Sequence, residues 1–210
     1  MRKSVVAFVM AVVLPAISTA EPISGLAAKK MLFSPKAFSV EVVEDSGLDD
    51  LSVKVVRALV EEPGFNKRLS YYGALAFSPA FIERIQVDGL NSEASGLAAY
   101  VDGYHSLKAA SAAAMAICEK ALRAGDAPCV IAIRVQPKRW KARKLSLSMS
   151  ATAAMKVYRK GKGPKAMAVS TGTAAYAIAK GEGAAEAALE SCNASAIKAG
   201  AADCEVLVAD

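Results

Sequence analysis

From Tyr71 to Ser78 the apolar positions recur with a period of two, the pattern of a strand. Beyond a stretch rich in Gly, Ser and Asp from Pro79 to Gly103, the run Ser106 to Arg123 reads as an alanine-rich helix. It contains Cys118 and stops at Gly125. Asp126 and Pro128 mark a turn, after which Cys129 to Val135 reads as a strand. The order then recurs. Lys165 to Thr171 reads as a strand, Gly172 as a turn, Ala174 to Ala179 as a second strand, and Ala184 to Cys192 or slightly beyond as a helix. A loop through Gly200 and Asp203 leads to a last strand, Cys204 to Val208.

Aligning Cys118 with Cys192 brings Cys129 within one residue of Cys204. Upstream, Val40-Glu41-Val42 before a helix at Leu48 to Val60 corresponds to Leu145-Ser146-Leu147 before a helix at Ala151 to Arg159. The expectation is an α+β protein of two tandem copies of a strand-helix-strand(-strand)-helix-strand unit, with Ala-rich helices packed on one face of antiparallel or mixed sheets. The first copy covers residues 21–136 with an insertion at 79–103; a basic linker and the second copy cover 137–210. Two unrelated α+β stretches are the competing reading, and the shared cysteine register disfavours it.

The pieces Gly73-Ala74-Leu75-Ala76-Phe77-Ser78 with Cys118 and Cys129, and Lys165-Ala166-Met167-Ala168-Val169-Ser170 with Cys192 and Cys204, resemble a group of small exported bacterial proteins. Their shared domain of unknown function reads Gly-Ala-aliphatic-Ala at a strand, an Ala-rich helix ending in Cys, and a second Cys opening a strand. The second half is the closer match, including Tyr176 and Gly181. This resemblance implies a repeated exported domain and carries no activity with it.

The first twenty residues add a location. Arg2 and Lys3 precede an apolar run from Val5 to Ile17, and Ser18 and Ala20 are spaced for signal peptidase. That is a cleavable secretory signal, residues 1–20, with cleavage expected after Ala20. The apolar run is about 13 residues against roughly 20 for a membrane-spanning helix, and no comparable run follows, so no transmembrane segment is expected in the mature chain. An exported chain, periplasmic or secreted, gives its four cysteines an oxidising compartment, in which three pairings are open. The duplication favours Cys118–Cys129 with Cys192–Cys204. Each bridge would then join a helix face, Leu107-Ala114-Cys118 or Ala185-Leu189-Cys192, to the next strand. A spacing of about eleven suits neither a zinc site, which uses close pairs, nor a redox pair, so no metal and no cofactor are expected.

Charge is uneven. From Pro137 to Lys165 there are ten Lys and Arg and no acidic residue. Lys138, Arg139, Lys141, Arg143 and Lys144 surround Trp140, whose ring offers stacking or cation–π contact, and Lys160 and Lys162 follow in a glycine-rich loop. These eight residues are the candidate anion-binding set, with an anionic envelope polymer as the candidate partner; a solvated basic linker is the competing reading.

Catalytic chemistry has few carriers. His105 is the single histidine, and no G-x-S-x-G accompanies it. Ser195-Ala196-Ile197-Lys198 matches S-x-x-K without its partner motifs, and Asn193-Ala194-Ser195 is a glycosylation sequon. Asp49, Asp50, Glu61 and Glu62 cluster near one helix, where Asp49 and Asp50 suit the positive dipole of its first turn. The expectation is therefore an exported, non-catalytic envelope or periplasmic module, structural or binding. The alternative is a small periplasmic hydrolase or ligand-binding accessory protein with a cleft between the repeats, using Tyr72, Tyr104 and His105.

Overall fold

The structure, a computed structural model, describes residues 21–89 and 91–210; the expected signal peptide at 1–20 lies outside the described residues. In strand order along the chain it contains β1 (Phe38–Val42), β2 (Gly73–Phe77), β3 (Ala98–Val101), β4 (Val130–Pro137), β5 (Lys165–Ser170), β6 (Tyr176–Lys180) and β7 (Cys204–Ala209). The helices are α1 (Gly25–Met31), α2 (Asp50–Glu61), α3 (Pro63–Asn66), α4 (Ala80–Asp88), α5 (Ser92–Gly96), α6 (Leu107–Ala121), α7 (Met149–Lys160) and α8 (Ala184–Ala196). One sheet has the order β1-β4-β2-β3 and the other β6-β5-β7, with every strand pair antiparallel. The protein is α+β.

Alternation along the central strands decides what covers each face. In β2, Ala74 and Ala76 point one way and Leu75 and Phe77 the other; in β5, Ala166 and Ala168 oppose Met167 and Val169. The alanine faces receive α6 through Ala110, Ala114 and Cys118, and α8 through Ala184, Ala188, Cys192 and Ala196. Small residues on both sides let helix and sheet backbones approach closely, which keeps these layers dense without large side chains. The helix faces turned inward are thus Ala110-Ala114-Cys118 and Ala184-Ala188-Cys192; Leu107, Ala185 and Leu189, expected there, lie at the margin, half-buried. The large faces are covered as well. Val56 of α2 and Phe65 of α3 pack with Leu75, Phe77, Ile133 and Val135, while Ala151, Met155 and Tyr158 of α7 pack with Met167, Val169 and Val208. The alanine-rich helices α6 and α8 thus take one face of their sheets, and α2, α3 and α7 cover the other. Each fully buried Leu, Phe or Met side chain contributes roughly 1.5–3 kcal/mol.

The cysteines stand at disulfide distance as Cys118–Cys129 and Cys192–Cys204, with Cα atoms 6.1 and 6.0 Å apart. Local features around them recur. The β2–β4 register shifts between Leu75 and Ala76, and the β5–β7 register between Met167 and Ala168. Ser78 donates its N–H to Leu97 O and Ser170 to Ala175 O, both at 2.9 Å. Those carbonyls are also approached by the sulfurs of Cys118, at 3.7 Å, and Cys192, at 3.8 Å.

Two expectations need correction. The stretch 79–103 is not a bare insertion: it holds α4, α5 and β3, and β3 pairs with β2 as β6 pairs with β5. Buried Arg84 of α4 ties it down through a 2.6 Å ion pair to Asp126. Leu145 and Leu147 are buried, yet residues 145–147 form no strand. The segment beside β7 is instead Ile23, in a parallel bridge to Val208. Ile23 donates its N–H to Leu207 O and accepts from Ala209 N–H, both at 3.0 Å. The Gly25 amide then donates to the Asp210 carboxylate at 2.9 Å. Residues 21–32 consequently pack with the C-terminal sheet, Ala28 lying in its core beside Met155 and Tyr158.

Candidate functional site

The expected basic set is divided by the fold. Lys160 and Lys162 lie at the far end of α7, a helix of 12 residues, which places them on the order of 17 Å along the helix from the segment 138–144 that precedes it. Lys138 and Arg139 are exposed where β4 ends. Lys144 lines a separate hollow with Glu21. Lys165, counted in the acid-free run, is paired with Asp210 at 3.1 Å.

Trp140, Lys141 and Arg143 do come together, and with partners from elsewhere in the chain. They line a cavity of about 360 Å³ with Phe33, Tyr72 and Leu145. Lys108, in the first turn of α6, completes its cationic side, and Gln136 and Ser146 supply neutral polar groups. Arg143 is fixed: its Nη1 donates to Met31 O and Leu32 O, the carbonyls at the end of α1, and its guanidinium lies 3.9 Å from the Phe33 ring centroid. The cation–π contact expected for Trp140 is therefore made by Phe33, and the Trp140 ring is left 46% exposed at the cavity. Burial pushes the Tyr72 hydroxyl above the ordinary tyrosine range, opposed by hydrogen bonding to Ser146 and Trp140 and by the Arg143 charge.

Phe33 also borders a second cavity, of about 290 Å³, lined by Lys29, Lys156 and Arg159 over Leu32 and Met155. Among the described residues no carboxylate lines either cavity. Lys156 and Arg159 face it with Thr152 at helical spacing on α7, a signal legible in the sequence. Lys29 and Lys108 belong to the basic face only through tertiary packing, and no local pattern marks them.

A third hollow, about 660 Å³, lies between the two halves, where Tyr104, Lys108 and Ala112 of the α6 region face Thr171, Gly172 and Gly200. Of the residues expected at a cleft between the halves, Tyr104 lines this hollow, whereas Tyr72 and His105 do not. His105 is buried, its Nδ1 accepts the Ser148 N–H at 3.1 Å, and its Nε2 lies 3.1 Å from Ala175 O. That pairing requires a neutral ring protonated on Nε2, and burial lowers its pKa further. With both nitrogens bonded to backbone, the imidazole holds α7 and the β5–β6 turn together rather than presenting a base.

Other sequence candidates have structural partners. Asn193 Oδ1 accepts from Cys204 N–H at 3.1 Å, so the sequon side chain is engaged within the fold. Ser195 Oγ donates to Ser191 O within α8. Asp49 caps α2 by accepting from Ser52 N–H at 2.8 Å, and Glu62 caps α3 through Phe65 N–H. These caps sit at opposite ends of α2.

What the fold and these cavities define is a two-sheet α+β protein with two cationic hollows that share Phe33. No described protein family, no curated protein and no solved structure matches the chain.

Proposed function

We propose that this chain is an exported, non-catalytic module that binds anionic ligands on the basic face around Phe33, with an anionic envelope polymer as the partner class. The observation that carries the reading is the pair of cavities flanking Phe33, which collect Lys108, Lys141 and Arg143 on one side and Lys29, Lys156 and Arg159 on the other, without a lining carboxylate. Uncompensated cations in concave, partly apolar surroundings hold a higher positive potential than the same charges on an open surface. Export is supported by the signal-like residues 1–20, by two cysteine pairs at disulfide distance, and by the absence among the described residues of a helix long and apolar enough to cross a membrane.

Duplication of one ancestral unit, as in the exported repeat proteins that the chain resembles, is part of the same proposal. It is supported by the matched register shifts and by the Ser78–Leu97 and Ser170–Ala175 bonds, which occupy corresponding positions. The hollow between the halves favours ligand binding at their junction as a second reading, without the hydrolytic role for His105.

The test is equilibrium binding of the mature chain to polyphosphate and to an uncharged polymer of similar length at two salt concentrations. Binding confined to the anion, and weakened at least several-fold by salt, is expected. Equal binding of the neutral polymer, or no binding of any anion, would sink the proposal. Intact-mass measurement of the mature chain, expected to begin at Glu21 with four oxidised cysteines, checks the export part.

A further inference from the structure

The Trp140 cavity is more selective than a basic patch. Its floor is built from Phe33, Tyr72, Leu107 and Leu145, with the Trp140 ring along one side. Lys108 and Lys141, both exposed, stand at its rim beside the fixed Arg143. Helix α6 begins there, capped by Ser106, and its first turn contains no acidic residue; Lys108 takes a position where helices ordinarily favour carboxylates. Positive side chains and the start of a 15-residue helix therefore border the same largely apolar hollow.

Three ligand chemistries can be weighed against that arrangement. A fully hydrated polyanion reaches the rim but leaves the apolar floor wet. A neutral apolar molecule dries the floor but strips water from the cations without replacing it, which is unfavourable. A molecule with one acidic group and an apolar body satisfies both, and about 360 Å³ lies within the range of small-molecule sites.

Resting on the anion-binding reading above, we infer that the cavity between Phe33, Tyr72 and Trp140 binds a monomeric acidic amphiphile. Its carboxylate or phosphate lies against Lys108, Lys141 and Arg143, and its apolar body covers the aromatic floor.

Trp140 is the single tryptophan of the chain, so its fluorescence reports occupancy directly. The mature protein is titrated with decyl phosphate below its aggregation limit, and in parallel with inorganic phosphate, decanol, polyphosphate, and vesicles of phosphatidylglycerol. Decyl phosphate is expected to shift Trp140 emission to the blue and saturate, at least tenfold tighter than phosphate or decanol. The double variant Lys108→Glu/Lys141→Glu is expected to weaken decyl phosphate at least tenfold. Lys54→Glu/Lys67→Glu, which makes the same charge change at exposed positions elsewhere, is expected to change it less than twofold. Circular dichroism and melting identify any variant that has lost its fold, and the wild-type comparison of decyl phosphate with phosphate and decanol decides the question without variants. Equal affinity for phosphate and decyl phosphate, or equal loss in both double variants, overturns the inference. Binding of polyphosphate alone overturns it while leaving the anion-binding module standing; no anionic binding removes both. Binding to vesicles without binding to monomeric decyl phosphate assigns the face to a bilayer surface and overturns the cavity site.

Discussion

At the scale of single residues, buried polar groups here serve as joints. His105 sits between Ser148 N–H and Ala175 O in its neutral form, with its pKa lowered by burial. In the unfolded chain a histidine titrates near the ordinary value of about 6.5 and takes up a proton that folded His105 resists. Stability from this group is therefore complete above about pH 6.5 and is lost as pH falls toward its depressed folded pKa, with a slope of at most about 1.4 kcal/mol per pH unit for one proton. Denaturant midpoints measured from pH 8 to pH 5 are expected to fall below about 6.5 in the native protein. His105→Gln should be less stable at pH 8 and should lack that decline; an unchanged decline in the variant would assign it to other groups.

Asp203 works in the opposite window. Burial raises its pKa, but donors from Ser170 Oγ at 2.5 Å, Thr171 Oγ1 at 2.6 Å and Gly172 N at 2.6 Å hold the carboxyl below its ordinary value. Its contribution is present above about pH 4, the unfolded value, and disappears as pH falls through the lower folded one. Asp203→Asn is expected to lose about 1–3 kcal/mol at pH 7, because an amide cannot accept from all three donors. Urea denaturation of the variant measures it, and a loss under half a kcal/mol would mean that water replaces the carboxylate without penalty.

At the scale of elements, the small-residue face and the cysteines act together. Cys118 and Cys192 continue the alanine stripes of α6 and α8 and fasten each helix to the strand beside it, across sequence separations of 11 and 12. Loops of that length imply roughly 3 kcal/mol per bridge on the chain-entropy estimate. Cys192→Ala/Cys204→Ala is expected to lose about that amount, measured by thermal melting of the oxidised proteins. A loss near zero would show that alanine packing alone seats α8. Much at this scale was legible beforehand. Period-two stretches and alanine-rich runs located β2, β4, β5, α6 and α8, because each carries a local signal that packing then reinforces. The strand β3 was hidden because its four residues, Ala98–Val101, follow a Gly- and Ser-rich stretch whose composition reads as loop. A strand was expected at 145–147 because alternation reports burial, and those leucines are indeed buried; whether backbone pairs with a neighbour depends on which segment occupies the edge. The basic face was legible in its Trp140 portion and in Lys156 and Arg159 of α7, since a charge run and helical spacing are local signals, while Lys29, Phe33 and Lys108 join it through tertiary packing.

At the scale of the whole molecule, the segment that follows the expected cleavage point closes the far end of the chain. Ile23 pairs with Leu207 and Ala209, and Gly25 bonds Asp210, which in turn pairs with Lys165. A Cβ at Gly25 would stand 2.7 Å from Asp210 Oδ2 and 2.8 Å from Tyr158 Cε1, so a larger residue must displace one of the side chains that hold this N-terminal strap. The covered edge of β7 is otherwise a row of unpaired backbone groups, the kind of edge that recruits other chains. The C-terminal sheet thus depends on a contact about as distant in sequence as the described chain allows, a closure that forms slowly relative to local pairings. Ile23→Pro removes the N–H donated to Leu207 O and constrains the backbone, while touching no strand of the N-terminal sheet. Hydrogen exchange of this variant is expected to accelerate at Ala209, whose N–H is donated to Ile23 O, and through α1 and β7, with β2 and β4 unchanged. Concentration-dependent association through the bared β7 edge should accompany it, readable by light scattering. Uniform acceleration in both sheets would instead show that the halves open as one cooperative unit, with the strap holding the whole molecule rather than its C-terminal part.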